Sequence, residues 1–379
     1  MTNLENRVIA HHISPFLRLT ENWIYKIIVN QKVYRPVVIT KALQNKEHFP
    51  FKDVYALKSK SKITVALQLF ASAFLGYIPL FSRACKNEGV SLLHVHFGTR
   101  GVKSIGLKKK LNVPMICSFY GFDAFKTPRK AKYQKAYRKL FNVADRVLVL
   151  GPYMKNELIK LGCPKGKIMI QHLGIDTQQI KFIKRNLDRT KPIRFLIAAR
   201  FVEKKGLDVA IKAFALIKKD FNFIVELIGD GELKENLVNL IKTHNLENNF
   251  ILHGFKPYNY FIERTYACDI YVLASKTTPE NDKEGTPMSL VDAMAAGMPV
   301  VSTRHSDIPE IVIEGYNGFL AEENDVEDFA NCLRRILLFE KFEELSTNAR
   351  KHIESEFDVF VLTKKLEDIY KETIENYPL

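Results

Sequence analysis

The sequence has no closely spaced pair of cysteines. Its five, Cys85, Cys117, Cys163, Cys268 and Cys332, are odd in number and scattered, which excludes a disulfide framework, a zinc knuckle and a redox dithiol and points to a reducing cytosol. It also lacks a DxD pair and any local cluster of histidines with carboxylates, so nothing along the chain marks a divalent-metal site and none is expected. Biased tracts are missing as well. With 18 Gly and 15 Pro among 379 residues, 46% hydrophobic and 26% charged, the chain is an ordinary folded protein of two or three domains, not collagen, a disordered tail or a mucin-like stalk. The opening stretch MTNLENRVIAHHISP has no basic, apolar, small-residue succession, so it reads as no secretory signal and the domains are expected on the cytoplasmic side.

Acidic residues are scarce in the first half only. Residues 1–185 hold 33 Lys and Arg against 9 Asp and Glu, a balance of +24, whereas residues 186–379 hold 24 against 33, a balance of −9. Such asymmetry calls for an anionic partner of the basic half, either nucleic acid or a phospholipid surface.

Beyond Arg185, apolar runs of strand length alternate with helical periods, the pattern of a parallel α/β sheet. The runs are 193–198, 223–228, 249–253, 269–274 and 298–302. Fainter strands are predicted at 7–11, 37–40, 92–96, 114–118 and 146–150. Two Rossmann-like domains are therefore expected, 1–185 and 186–357, with the polar stretch 177–191 as linker and a final helix in 358–379 returning to the first domain.

One segment stands apart. Ile63–Ser82, ITVALQLFASAFLGYIPLFS, is twenty residues without a charge, flanked by Lys58, Lys60 and Lys62 and by Arg83 and Lys86. Three readings are open: a membrane span, a buried helix of the first domain, or a helix or helical hairpin lying in the bilayer interface.

The stretch with most chemical content is KEGTPMSLVDAMAAGMPVVS, residues 283–302. Thr286 is suited to cap a helix, Pro287 to its first turn and Gly297 to its end, with Glu284 just outside the start. Free amides and the positive end of the helix dipole make that start a phosphate site, and a carboxylate beside it can accept hydrogen bonds from sugar hydroxyls. Asp292 lies two turns along, within reach of a ribose. Upstream, in IAARFVEKKG, Arg200 and Lys205 project from the carboxyl edge of the sheet, where two cations can neutralise a diphosphate leaving group without a metal.

The run EGTPMSLVD resembles the E-x7-E signature of the retaining glycosyltransferases of family 4. Its surroundings resemble them too: AARFVEKKGLDVAIKAF, LIGDGELKENL, ILHGFKP, DIYVLAS and DIPEIVIEGYNGFLAEENDVEDFA, with HVHFGTRG, SFYGFDAF and QHLGIDT in the first half. The resemblance is strong over 195–330, moderate over 92–176 and weak before 90. It implies an α/β protein of the GT-B class: two Rossmann-like domains facing across a cleft, the second holding a nucleotide-diphosphate sugar. It implies Glu284 on the sugar, Asp292 on the ribose, and Arg200 and Lys205 on the diphosphate. Gly285, Thr286, Pro287, Met288, Ser289 and Leu290 would line sugar and phosphates, with Gly229 and Phe255 completing the donor pocket. The second acidic position is Asp where the family usually has Glu. In many relatives a histidine of the first domain points at the sugar where this chain has Tyr120; His96, Gly98 and Asp123 are expected beside it, on the acceptor side.

Taken singly, several of these residues have plainer readings. Glu284, Asp292, Arg200 and Lys205 would each pass for solvated surface groups; their conjunction at the carboxyl edges of strands makes the donor site. His94 and His96 share a strand face and serve either a core or a sugar-contacting role. Gly229-Asp-Gly231-Glu232 resembles a dinucleotide fingerprint whose third glycine is Lys234, so a tight strand-to-helix turn is the expectation. The basic tract Lys126–Lys139 is either a solvated helix face or a contact for membrane phosphates.

The resulting expectation is a cytoplasmic, membrane-peripheral retaining glycosyltransferase with no cofactor and no nucleic-acid partner, acting on a glycan or lipid-linked acceptor at an anionic membrane surface. The rivals are a soluble enzyme of the same fold with a small acceptor, and a non-catalytic RNA- or anionic-surface-binding protein.

Overall fold

The computed structural model describes residues 7–378. Residues 1–6, which hold part of the stretch read for a secretory leader, lie outside the described residues. The chain divides into two compact units. One is formed by the chain up to Leu173 together with Val359 onward, the other by Gly174–Asp358.

The first unit is built on a parallel sheet of β1 (Val8–His12), β2 (Arg35–Thr40), β3 (Val54–Ala56), β4 (Val90–His96), β5 (Met115–Ser118), β6 (Arg146–Val149) and β7 (Ile168–Ile170), in the order β3-β2-β1-β4-β5-β6-β7. Two of these, β3 and β7, were not legible in the sequence. Each is three residues long and at an edge of the sheet, too short for a period to register. Strand order reverses between β1 and β4, and their pairing sets His11 opposite His94. Ligands of such sheets bind outside the carboxyl ends at this reversal.

The uncharged segment is not one helix. It forms α1 (Lys62–Leu75) and the start of α2 (Pro79–Asn87), bent by 91° at the break; among the described residues no single helix is long and apolar enough to cross a membrane. Ser61 caps α1 by accepting from the Thr64 amide at 3.2 Å, and Gly76, at φ +73°, ends it. The elbow rests on α3 (Gly98–Leu111), where a Cβ on Gly106 would lie 2.3 Å from the Gly76 carbonyl oxygen. No residue of α1 is buried, so the buried-helix reading fails for that part of the segment, whereas Ile78, Phe81 and Ser82 at its end are buried. The basic tract becomes α4 (Ala131–Val143), with Tyr137, Leu140 and Phe141 inward and Lys132, Lys135, Arg138 and Lys139 exposed.

The second unit carries β8 (Ile193–Ala198), β9 (Phe223–Ile228), β10 (Phe250–Gly254), β11 (Ile270–Leu273), β12 (Val300–Thr303) and β13 (Gly318–Ala321), all parallel, in the order β10-β9-β8-β11-β12-β13. Its helices include α5 (Leu207–Ile217) after β8 and α6 (Met288–Ala295) after β11.

The unit begins at Gly174, earlier than the boundary after Arg185 expected from the sequence. The stretch 177–191, read as a linker, is packed rather than spanning. Ile175 and Ile180 enter the core of the second unit. Buried Arg185 donates to the carbonyls of Ala296 (2.5 Å), Ile183 (2.7 Å), Cys268 (3.0 Å) and Thr265. Arg185 is hidden here because its guanidinium satisfies backbone carbonyls, which a hydropathy pattern does not record.

The last helix, α7 (Val359–Glu375), belongs to the first unit. Leu366, Ile369 and Tyr370 join the core beside Ile9, Leu92 and Ile116, and Glu367 accepts the Lys32 and Val33 amides, each at 2.7 Å.

Candidate active site

In the second unit the chemistry gathers at the carboxyl ends of β8 and β11, where strand order reverses. Past β8, Arg200 is exposed and has no side-chain partner among the described residues. The chain then makes a single 3-10 turn, Glu203–Lys205, and turns into α5 through Gly206 at φ +59°. A Cβ there would lie 1.7 Å from the Ala274 carbonyl oxygen, so only glycine lets this loop meet β11.

The close approach delivers Lys204 and Lys205 to Glu284. The Lys205 Nζ pairs with Glu284 Oε2, and the Lys204 Nζ stands 3.4 Å from Oε1. Glu284 is buried. Desolvation opposes its charge, but the two ammonium groups overcome it and hold the carboxyl down at about 2. It is an acceptor of hydrogen bonds, too weak a base to take a proton from a hydroxyl.

Behind Glu284 stand two residues that sequence reasoning missed. The Glu284 amide donates to His305 Nε2 at 2.9 Å, so the His305 proton is on Nδ1, which donates to Glu323 Oε1 at 2.7 Å. Glu323 also accepts the Thr277 amide at 2.7 Å, and these bonds outweigh burial to hold it at about 2. Fully buried His305 thereby fixes the backbone that aims Glu284. Lys204, beside the expected Lys205, was missed too. Its only signal was adjacency.

Helix α6 begins at Met288, with Pro287 at the cap position and no side-chain cap, so Thr286 does not cap it as expected. Without a side-chain cap, the first amides of the helix stay open to a ligand. Gly285 and Thr286 lie in the partly exposed approach, whereas Leu290 turns its side chain into the core. Ser289 is tied to the end of β8, donating to the Ala198 carbonyl at 3.1 Å and accepting from the Tyr271 hydroxyl at 2.7 Å. Asp292 is buried on α6, with Oδ1 accepting the Tyr258 hydroxyl at 3.0 Å.

Gly229 sits at φ +147°, where a Cβ would lie 1.9 Å from the Ala199 carbonyl oxygen. That glycine lets the loop after β9 lie against the loop that carries Arg200. Phe255, just past β10, is 80% exposed.

In the first unit, His96, Gly98, Tyr120 and Asp123 come together at the carboxyl ends of β4 and β5. Buried Asp123 accepts the Gly98 amide at 2.7 Å and the Tyr120 amide at 2.9 Å, bracketing the two loops; burial outweighs these bonds and raises its carboxyl to about 6. Gly98 is required by packing, since a Cβ would meet the Phe119 ring at 2.1 Å. The Tyr120 ring packs on Trp23 and Phe97 at centroid distances of 4.3 and 4.9 Å.

Behind Tyr120 runs a chain of neutral histidines. Gln31 donates to His11 Nε2 at 2.8 Å, so His11 donates from Nδ1 to His96 Nε2 at 3.0 Å, and His96 from Nδ1 to the Tyr120 oxygen at 2.6 Å. The Tyr120 proton is left to point onward. His94 bonds Tyr370 at 2.6 Å and Ser118 at 2.8 Å. Burial lowers His11 to about 3 and pulls His94 and His96 well below the ordinary range. His11, His94 and His96 place ligand atoms within 4.8 Å of one another, a grouping that linear sequence did not show because His11 comes from another strand. All six ring nitrogens already have protein partners, so the cluster is complete as a hydrogen-bond network.

The exposed face of α1 is apolar: Ile63, Leu67, Phe70 and Phe74 are 75%, 63%, 68% and 76% exposed. Phe81, in the same uncharged segment, is instead buried edge-on against His12.

Residues 178–352 match the family model described as glycosyl transferases group 1, and residues 32–179 that of glycosyltransferase family 4. An amylovoran biosynthesis glycosyltransferase of Erwinia amylovora is 34% identical over 279 residues, covering 73% of this chain and 68% of that protein. A protein of Escherichia coli K12 named for colanic acid biosynthesis is 31% identical over 317 residues, 82% of this chain and 76% of its own. Among solved structures, Anabaena HepE in complex with UDP superposes with a TM-score of 0.77 at 18% identity, over 97% of this chain and all 100% of that one.

Proposed function

The chain belongs to the glycosyltransferases of family 4, with the two Rossmann-like units of the GT-B fold, and we propose that it moves a hexose-type sugar from a nucleotide-diphosphate donor to a glycan or lipid-linked acceptor with retention of configuration, in surface polysaccharide biosynthesis. The observation that carries the reading is the buried Glu284 carboxylate between Lys204 and Lys205, at the approach to α6.

A carboxylate ionised near 2 accepts hydrogen bonds from sugar hydroxyls throughout the working range. The start of α6 offers amides without intrahelical partners to the phosphates, and Arg200 and Lys205 supply charge to the departing diphosphate. Asp292 takes the ribose and exposed Phe255 gives the base a face to stack on. In this reading the leaving phosphate oxygen takes the acceptor proton on the face it departs from, so no protein base is needed. The positive field is already in place, so no divalent ion is needed either.

The relatives named for amylovoran and colanic acid biosynthesis support a polysaccharide pathway, and the neighbour crystallised with UDP supports a nucleotide-sugar donor. The exposed apolar face of α1, with Lys58, Lys60 and Lys62 exposed before it, supports a peripheral position on the cytoplasmic face of an anionic membrane.

A thermal-shift panel of UDP-, GDP- and ADP-sugars tests the donor, since a ligand at 100 times its Kd stabilises by about 2.7 kcal/mol. The stabilising sugar is then used for transfer, with the product anomer read by NMR. An inverted product overturns retention, and activity abolished by EDTA and restored by magnesium overturns the account of the leaving group.

A further inference from the structure

A small cationic cavity lies at the other side of the strand reversal of the first unit. It has a volume of about 200 Å³ and is lined by His12 at the end of β1, Lys41 just after β2, Arg100 and Lys103 on the first turns of α3, and the elbow between α1 and α2. We propose that this cavity is a diphosphate subsite, built to hold the diphosphate of a lipid carrier to which the acceptor sugar is attached. The inference rests on the lipid-linked acceptor proposed above and gives that acceptor an anchoring point.

Three cations line the cavity and no carboxylate does. Lys41 and Lys103 form no ion pair among the described residues, and the Arg100 guanidinium donates to the Ser14 carbonyl at 3.0 Å. Like charges brought together without a counter-charge repel, and burial then repulsion from Arg100 and Lys103 lower the Lys41 ammonium. An anion relieves this cost.

Size and surroundings select the ligand. Pockets for whole cofactors and drug-sized molecules run from roughly 300 Å³ upward, so this cavity suits a compact anion better than a nucleotide. Ser72 and Gly76 of its wall belong to the end of α1, whose exposed apolar face runs about 21 Å along the surface from there. A diphosphate in the cavity therefore has a bilayer-compatible surface beside it for its hydrocarbon chain. Arg100 also lines a neighbouring cavity of about 370 Å³ with Ser14, Phe97, Thr99 and Asp123, which offers the attached sugar a place near Tyr120.

The test is binding of the full chain to neutral phosphatidylcholine vesicles, plain or carrying about one per cent of a polyprenyl diphosphate, with inorganic pyrophosphate measured separately in solution. Wild type is expected to bind the doped vesicles at least tenfold more tightly than plain ones. The double variant Lys41→Ala/Lys103→Ala should lose that ratio, while Lys58→Ala/Lys60→Ala, which removes the same charge outside the cavity, should keep it. The milder Lys103→Gln, at an exposed position, guards against misfolding and should lower the ratio at least threefold.

Equal loss in the two double variants would show diffuse attraction and overturn the proposal. So would a wild-type ratio near one, or binding of inorganic pyrophosphate with no response to the lipid. If wild type still joins anionic phosphatidylglycerol vesicles in any of those cases, the membrane reading survives and only the subsite fails.

Discussion

Glu284 and Tyr120 set the chemistry at the scale of single residues, and they do so in opposite ways. Glu284 acts as a permanent charge, because Lys204 and Lys205 keep it ionised. Glu284→Ala and Lys205→Ala are each expected to lower turnover at saturating donor about 100- to 1000-fold, the usual cost of one preorganised charge contact. Thermal denaturation separates lost activity from lost stability, and unchanged turnover in a folded variant would remove that residue from the site. Tyr120 acts through packing on Trp23 and Phe97 and through its bond from His96. Tyr120→Phe keeps the packing and leaves one buried donor unpaired, costing about 1–3 kcal/mol of stability but less than tenfold in turnover, whereas Tyr120→Ala loses both. Equal inactivity of the two, with donor binding intact, would make the hydroxyl part of the reaction.

Helix α1 is the element that carries the membrane reading. Its apolar residues point outward, and a glycine contact, Gly76 on Gly106, holds its end against α3. Apolar side chains entering the interface should give attraction that salt does not remove, while lysines alone would give attraction that salt screens. Wild type is therefore expected to float with anionic vesicles at low salt and to retain part of that binding at high salt. Phe70→Ser/Phe74→Ser should lose the salt-resistant part without unfolding, since both positions are exposed. Equal flotation with neutral and anionic vesicles, or none with either, would overturn membrane docking and leave the glycosyltransferase assignment standing.

On the scale of the whole molecule, buried histidines make the first unit sensitive to acid. His11, His12, His94 and His96 all have pKa values lowered by burial, so unfolding takes up protons. Their stability is fully present above about pH 6.5 and is lost as pH falls, at about 1.4 kcal/mol per unit for each histidine. Asp123 at about 6 and Glu21, both raised by burial, act the other way, two groups against four. Glu284 and Glu323, both held near 2, add losses only below their unfolded values of about 4.5. Trp23, the single tryptophan, lies in the first unit and reports its unfolding by fluorescence. Its urea midpoint is expected to be clearly lower at pH 5.0 than at pH 7.5, and an unchanged midpoint would contradict neutral burial of the four rings.

What the sequence determined by itself was whatever rests on neighbours along the chain. The alternation of apolar runs and helical periods named two parallel sheets, and the ordered motifs around Glu284 named the family. Arg200, Lys205 and Glu284 were legible because each sits at a fixed offset from a strand end. Tertiary structure alone decided what depends on side chains distant in the chain. His305 and Glu323 became supports of Glu284 only when β12 and β13 closed beside β11, and His11 met His94 and His96 only through the pairing of β1 with β4. The outward turn of α1 and the inward turn of Phe81 were likewise beyond the sequence, since an apolar segment carries no mark of which side its partner lies on. Hydrophobicity along a chain measures the drive to leave water; the fold supplies the surface against which that drive is met, or, as for α1, leaves it open.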